Sequence, residues 1–201
     1  FLNTGQSCIA AKRFIVVESI LEDFKQKLIV AIKLEKMGDP FDKDVTIGPM
    51  VNIESRNEVH RLVNATIRKG AELLVGGKIP TTKGAFYPPT LLNDVKPGMP
   101  AFDDEIFGPV ASIISAKNEK EAILLANQSQ FGLGGAVFTK NLKKGEEIAL
   151  NQIEAGSCFV NDFVRSDPRL PFGGIKESGY GRELSEAGIR EFTNMKTVYI
   201  K

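Results

Sequence analysis

Apolar positions along this chain switch repeatedly between strand-like and helical spacing. Arg13-Phe14-Ile15-Val16-Val17 is a β-branched and aromatic run, and it predicts a strand because such side chains pack well on a pleated surface. Ile20, Leu21, Phe24, Leu28 and Ile32 then recur at helical spacing. They predict a helix capped by Ser19, running to Met37-Gly38 and stopped by Asp39-Pro40, since proline cannot continue a helix. After a loop from Phe41 to Pro49, the stripe Val59, Leu62, Val63, Thr66, Ile67 predicts an amphipathic helix from about Asn52 to Lys69. Gly70 is its C-cap candidate.

Leu73-Leu74-Val75 and Thr90-Leu91-Leu92 read as short strands, the second inside a stretch rich in Pro, Gly and Thr between Lys78 and Pro100. Val110 to Ala116 reads as a buried strand. Asn118 with Glu121 three positions on is a capping-box pattern, opening a helix to about Gln128. A strand over Gly135 to Thr139, a helix over Asn141 to Gln152 and a strand over Gly156 to Asn161 follow. A short helix over Glu183 to Gly188 and a terminal strand over Met195 to Ile200 complete the chain. Strands alternating with helices predict a layered α/β/α domain with a largely parallel sheet.

Charge and composition remove whole classes of function. Among 201 residues, 26 Lys and Arg face 25 Asp and Glu. This leaves no concentrated basic surface for nucleic acid or anionic membrane. The Lys140 to Lys144 run is short and interrupted and reads as a solvated helix start. No apolar run reaches the eighteen or so residues a membrane span requires. The start at Phe1 has neither a basic region nor an apolar core of signal-peptide type. Two cysteines, Cys8 and Cys158, make no disulfide framework. Both are expected reduced in a cytoplasmic protein.

The candidate chemistry is sparse. Cys8 sits in Asn3-Thr4-Gly5-Gln6-Ser7-Cys8, where Gly5 permits a tight turn and Ser7 and Ala10 are small enough for a ligand to approach. A thiolate there would be a nucleophile; a lone cysteine among apolar neighbours is more often a small hydrophobe. Glu105 in Glu105-Ile106-Phe107-Gly108-Pro109 can accept two hydrogen bonds from a diol beside the Phe107 ring, or be a solvated carboxylate beside Asp103 and Asp104. Phe172-Gly173-Gly174 and Ser178-Gly179-Tyr180-Gly181 resemble a phosphate loop only in their glycines, because no Lys-Ser/Thr follows at the required spacing. His60, the single histidine, could form a dyad with Cys8, but its mid-helix position beside Arg61 favours a solvated side chain. Two cysteines and one histidine at these spacings give no metal site. Cys158 falls on a strand and reads as core.

The three motifs, in this order, resemble the catalytic half of aldehyde dehydrogenases, and the resemblance runs from Asn3 to Tyr199. It implies a catalytic domain over residues 1–190 and an oligomerisation strand over 191–201, in a homodimer or homotetramer. It implies that the polypeptide is the later part of a longer enzyme and is inactive alone. The domain that cradles NAD or NADP, the general base and a second oxyanion donor would then precede Cys8. Cys8 becomes the nucleophile that passes through a thiohemiacetal and a thioester, with its own N–H as one oxyanion donor. Glu105 and Phe107 become the nicotinamide-side contacts, and Phe172 a wall of the substrate tunnel.

Asn161 to Leu170 is similar to a loop of bacterial succinate-semialdehyde dehydrogenases. This makes Phe163 and Ser166 substrate contacts and succinate semialdehyde the expected small-aldehyde substrate. A broad-range aldehyde dehydrogenase, or an inactive structural module, is the alternative. Arg165 and Arg169 read as surface loop charges. Ala10 stands where many relatives carry a second, redox-switching cysteine.

Overall fold

The structure is a computed structural model that describes all 201 residues. The chain divides into two compact units, Phe1–Leu125 and Ala126–Lys201.

The first unit is built on a four-stranded sheet. Its strands are β1 (Arg13–Val17), β2 (Glu72–Val75), β3 (Thr90–Asn93) and β4 (Val110–Ala116), in the order β1-β4-β3-β2. β4 pairs in parallel with β1 and with β3, whereas β2 joins the edge antiparallel. Helix α1 (Glu18–Leu34) covers one face and α2 (Ile53–Arg68) the other. Strand side chains alternate faces, so neighbours divide between two cores. Leu91, Ala111 and Ile113 pack with Val16, Ile32 and the α1 side chains Leu21, Phe24 and Leu28. Leu92, Val110 and Ile114 pack with Val59, Leu62 and Val63 of α2. Burial on both faces is why β4 is apolar almost throughout, as parallel strands between two helix layers are.

The helix ends follow local chemistry. Asn52 caps α2 by accepting from the Ser55 N–H at 2.7 Å, and Gly70 lies just past its end at φ +108°. Thr66 donates to the Leu62 carbonyl at 2.8 Å and accepts from the Ala101 N–H at 3.0 Å. It thereby ties the short helix α3 (Pro100–Asp103), which the sequence pattern did not reveal, to α2. Helix α1 departs from expectation at both ends. Val17 precedes it with no side-chain cap, so Ser19 lies inside the first turn, and the helix stops at Leu34 rather than Met37. Met37 instead forms a parallel bridge with Ile47, and the Gly38 N–H donates to the Ile47 carbonyl at 3.0 Å. A tertiary backbone partner has displaced the next helical turn.

Helix α4 (Glu119–Asn127) opens with half of the expected box: the Glu121 N–H donates to Asn118 at 3.1 Å, but the Glu121 carboxylate accepts from the N–H of Lys117, one residue before the cap, at 2.6 Å. In the second unit β6 (Gly134–Val137) and β7 (Ser157–Val160) pair in parallel, and β5 (Phe131–Gly132) pairs antiparallel with β8 (Ile175–Lys176). Helix α5 (Leu142–Asn151), capped by Asn141, packs on β6 and β7. Its Gly145 comes so near that an added Cβ would lie 2.8 Å from both Thr139 and Val160. The last helix, α6, spans Ser185–Arg190. The strand expected over Met195 to Ile200 does not form: the segment has no ladder partner, and its Met195, Val198, Tyr199 and Ile200 side chains are exposed. A strand requires a second backbone with which to exchange hydrogen bonds, and this chain supplies none there.

Candidate active site

The approach to Cys8 is a left-handed turn. Asn3, Thr4 and Gly5 lie at φ +50°, +57° and +72°. Left-handed backbone costs a residue with a Cβ roughly 1–2 kcal/mol, and Thr4, being β-branched, is especially ill-suited to it. The surroundings hold it. The Gln6 N–H donates to the Asn3 carbonyl at 3.0 Å, the Asn3 amide donates to the Gln6 carbonyl at 3.1 Å, and the Thr4 hydroxyl donates to the Gly48 carbonyl at 3.3 Å. Gln6 Oε1 accepts from the Val51 N–H at 2.8 Å. Gly5 is required twice over: besides its positive φ, an added Cβ would lie 2.0 Å from the Gly108 carbonyl oxygen. The Asn3–Cys8 segment therefore lies directly on the backbone of Glu105–Pro109.

Beyond Gln6 the chain makes a tight turn in which the Ala10 N–H donates to the Ser7 carbonyl at 3.0 Å. This puts Cys8 at the turn's crest, solvent-exposed, with its own N–H engaged by no acceptor of the chain. An exposed thiol with a free N–H beside it suits attack on a carbonyl, because the same residue offers nucleophile and oxyanion donor.

Glu105 to Gly108 alternates like a strand: Glu105 and Phe107 are exposed, Ile106 and Gly108 buried. Period-two alternation places the carboxylate and the ring on the same side. Between them and the cysteine turn lies a residue that sequence reasoning missed. Lys12 Nζ is 3.0 Å from Glu105 Oε1, donates to the Ser7 and Ala10 carbonyls at 3.0 and 3.1 Å, and stands 5.3 Å from the Phe107 ring centre. Only its position just before β1 in a short loop hinted at this. Arg13 is also held, donating to the Leu125 carbonyl at 3.1 Å above the Phe102 ring, and burial lowers its pKa against the opposing pull of Asp103.

In the second unit, Phe163 is exposed and pairs with Phe138 at 6.2 Å between ring centres. Ser166 is exposed between two ion pairs, Arg165 with Asp162 and Arg169 with Asp167, each at 2.7 Å. Hydrogen bonds from Arg169 hold the Asp167 carboxyl well below its ordinary range. Both arginines are surface charges, as expected, each already matched by an aspartate. Phe172 is half-buried, its N–H and carbonyl exchanging bonds with Glu183 at 2.8 and 2.7 Å. Cys158 is half-buried on β7, and burial pushes its thiol pKa up.

His60 corrects an expectation. It is part-buried rather than solvated, with Nδ1 3.3 Å from the Tyr87 hydroxyl and Nε2 2.9 Å from the Asn64 amide. Both ring nitrogens are occupied structurally because α2 turns this position toward buried Tyr87.

The correspondence with known proteins is direct. Residues 1–198 match the aldehyde dehydrogenase family. The chain belongs to that family. It is 45% identical over 199 residues to succinate semialdehyde dehydrogenase [NAD(P)+] Sad of Escherichia coli (strain K12), covering 99% of this chain and 43% of the relative. It is 48% identical over 198 residues to a probable succinate-semialdehyde dehydrogenase [NADP(+)] of Synechocystis sp., covering 98% of this chain and again 43% of the relative. This aldehyde dehydrogenase chain thus spans less than half the length of those relatives.

Among solved structures, one on cofactor and substrate selection by Gox0499 superposes with a TM-score of 0.96 at 45% identity, covering all of this chain and 44% of that one. Betaine aldehyde dehydrogenase of Staphylococcus aureus in complex with NAD+ superposes with a TM-score of 0.92 at 38% identity, covering 96% and 39%. The fold is accordingly the catalytic α/β fold of aldehyde dehydrogenases, with a mostly parallel main sheet. No helix is long and apolar enough to cross a membrane.

Proposed function

We propose that this chain is the catalytic part, over residues 1–190, of an NAD- or NADP-dependent aldehyde dehydrogenase that oxidises succinate semialdehyde to the carboxylate in the cytoplasm, as a homodimer or homotetramer. The observation that carries the reading is the single cluster joining the exposed Cys8 turn to Glu105 and Phe107. The names of the relatives support the substrate class.

The residues present fit the nicotinamide half of the cofactor. One Glu105 oxygen is held by Lys12, the side chain is 38% exposed, and the carboxylate keeps acceptor capacity for a ribose diol. Phe107, at 43% exposure, offers an open ring against which a flat heterocycle packs. When bound, the dinucleotide accepts the hydride. The Cys8 thiol gives up its proton to water as its sulfur adds to the aldehyde carbon, and the Cys8 N–H donates to the oxygen on which negative charge develops. Loss of the aldehydic hydrogen as hydride leaves an acyl group on Cys8 as a thioester. Water then attacks that thioester, the acid leaves and the thiol is regenerated, which splits one difficult step into two. Glu105 holds the hydride acceptor in register.

Ser166 is assigned to the distal carboxylate of the substrate, since it is an exposed hydroxyl whose neighbouring guanidiniums are already paired with aspartates. Ser166→Ala should raise the KM for succinate semialdehyde more than that for an uncharged aldehyde of similar length, by roughly ten- to a hundredfold for a lost hydrogen bond to a charged group. Steady-state kinetics with the two substrates reads this directly. Equal changes would favour the broad-range alternative. Glu105→Gln should slow single-turnover hydride transfer while leaving adenosine-side binding intact; a wild-type hydride rate would remove Glu105 from the nicotinamide contact.

A further inference from the structure

We infer that Lys12 is the positioning residue that sets the Cys8 sulfur and the nicotinamide-side carboxylate Glu105 in one frame. The inference rests on the aldehyde dehydrogenase reading of Cys8 and Glu105 and adds a residue that no part of that reading uses.

The geometry is specific. An ammonium has three N–H donors and no acceptor. Lys12 Nζ meets three oxygens, those of the Ser7 and Ala10 carbonyls at 3.0 and 3.1 Å and Glu105 Oε1 at 3.0 Å. Ser7 and Ala10 are the first and last residues of the turn that carries Cys8 at its crest. One cation therefore clips both ends of the nucleophile's turn and binds the carboxylate as well. The Phe107 ring lies 5.3 Å from the same nitrogen, adding the attraction of a cation for a ring face.

Lys12 is itself fixed. Its side chain is only 16% exposed, and its carbonyl accepts from the Ser112 N–H of β4 at 3.0 Å. The ammonium is thus mounted on the central strand of the sheet, the kind of rigid support that holds a reacting geometry to a fraction of an ångström. The Lys12–Glu105 bond also settles the carboxylate's orientation, because with Oε1 held the other oxygen is the one left for a diol. Hydride transfer requires the sulfur-bound carbon and the acceptor ring to meet within a narrow range of distance and angle. The cysteine turn fixes the first, Glu105 the second, and Lys12 is their shared contact. Lys12 itself touches neither reacting atom.

The test is single-turnover hydride transfer in the full-length enzyme with saturating NAD and aldehyde. Lys12→Met should slow it by roughly ten- to a hundredfold, as misplacement by about an ångström does. NAD affinity should fall much less than the hydride rate does, because Lys12 orients Glu105 without itself touching the cofactor. A merely structural lysine would instead lower affinity, melting temperature and hydride rate together. Lys12→Arg should recover part of the rate, because it keeps the cation but cannot aim a planar fork at three converging oxygens. Lys12→Gln, polar and similar in length, should be slow as well, and it decides the matter should Lys12→Met not fold. Combined with Glu105→Gln, Lys12→Met should cost little beyond the slower single variant. A wild-type hydride rate in Lys12→Met or Lys12→Gln, or two effects that simply multiply, overturns the inference while leaving the Cys8 reading in place. Turnover by Cys8→Ala would overturn the dehydrogenase reading instead.

Discussion

Replacing Cys8 with alanine in the full-length enzyme should abolish aldehyde oxidation, with a fall in kcat of at least about ten-thousandfold, the scale on which loss of a covalent nucleophile acts. Cofactor affinity should be nearly unchanged. The cysteine stands at the exposed crest of its turn, and the turn's hydrogen bonds run between the Ser7 and Ala10 backbones without the sulfur. Removing the sulfur therefore leaves the loop, Lys12 and Glu105 as they were. Reduced-cofactor formation and cofactor titration on the same preparation read the two quantities. Substantial turnover by the alanine variant would sink the nucleophile assignment.

Gly5→Ala should be almost as damaging although it touches no reacting group. The new Cβ would lie 2.0 Å from the Gly108 carbonyl oxygen and 2.9 Å from the Pro109 nitrogen. These are backbone atoms and cannot rotate aside. The left-handed φ of +72° adds a conformational cost of roughly 1–2 kcal/mol. Relief requires the cysteine turn and the Glu105–Pro109 segment to separate. We expect a lower melting temperature together with a fall in kcat of about a hundredfold, the scale of an ångström-level misplacement. Thermal unfolding and single-turnover kinetics check both. A variant with a wild-type rate would mean that the contact between these segments does not set the active geometry.

Much of the main sheet was legible in advance, and the reason is visible in β4. Its Val110 to Ala116 run is buried on both faces, so apolar character alone betrayed it. Helix α2 was equally plain, because one face meets the core and Asn52 and Gly70 mark its limits. Where tertiary partners decide, local pattern failed. Met37 carries an apolar side chain at helical spacing, yet its backbone is taken by Ile47. His60 looked solvated until Tyr87, distant in sequence, closed over it.

The site divides the same way. Cys8, Glu105 and Phe107 came from motif resemblance, but spacing could not reveal that one lysine would join the two segments that carry them. A lysine before a strand has no distinguishing local signature; its three acceptors exist only once residues 7, 10 and 105 have converged. The left-handed turn was only half legible: Gly5 announces it, Thr4 argues against it.

The long-range contact between Gly5 and Gly108 has a kinetic meaning. Hydrogen bonds among residues 3, 6, 7, 10 and 12 shape the cysteine turn locally, but the groups that anchor it to the rest of the unit lie near residues 48, 51, 105 and 108. Parallel pairing of β1 with β4 closes a loop of comparable length, and such distant pairings are among the slow events of folding. In a nascent or partly folded chain the turn lacks its partners at Gly48, Val51, Glu105 and Gly108. The cysteine turn comes to rest against the Glu105–Pro109 segment only as β1 docks on β4, so assembly of the sheet and placement of Cys8 beside Glu105 are one event.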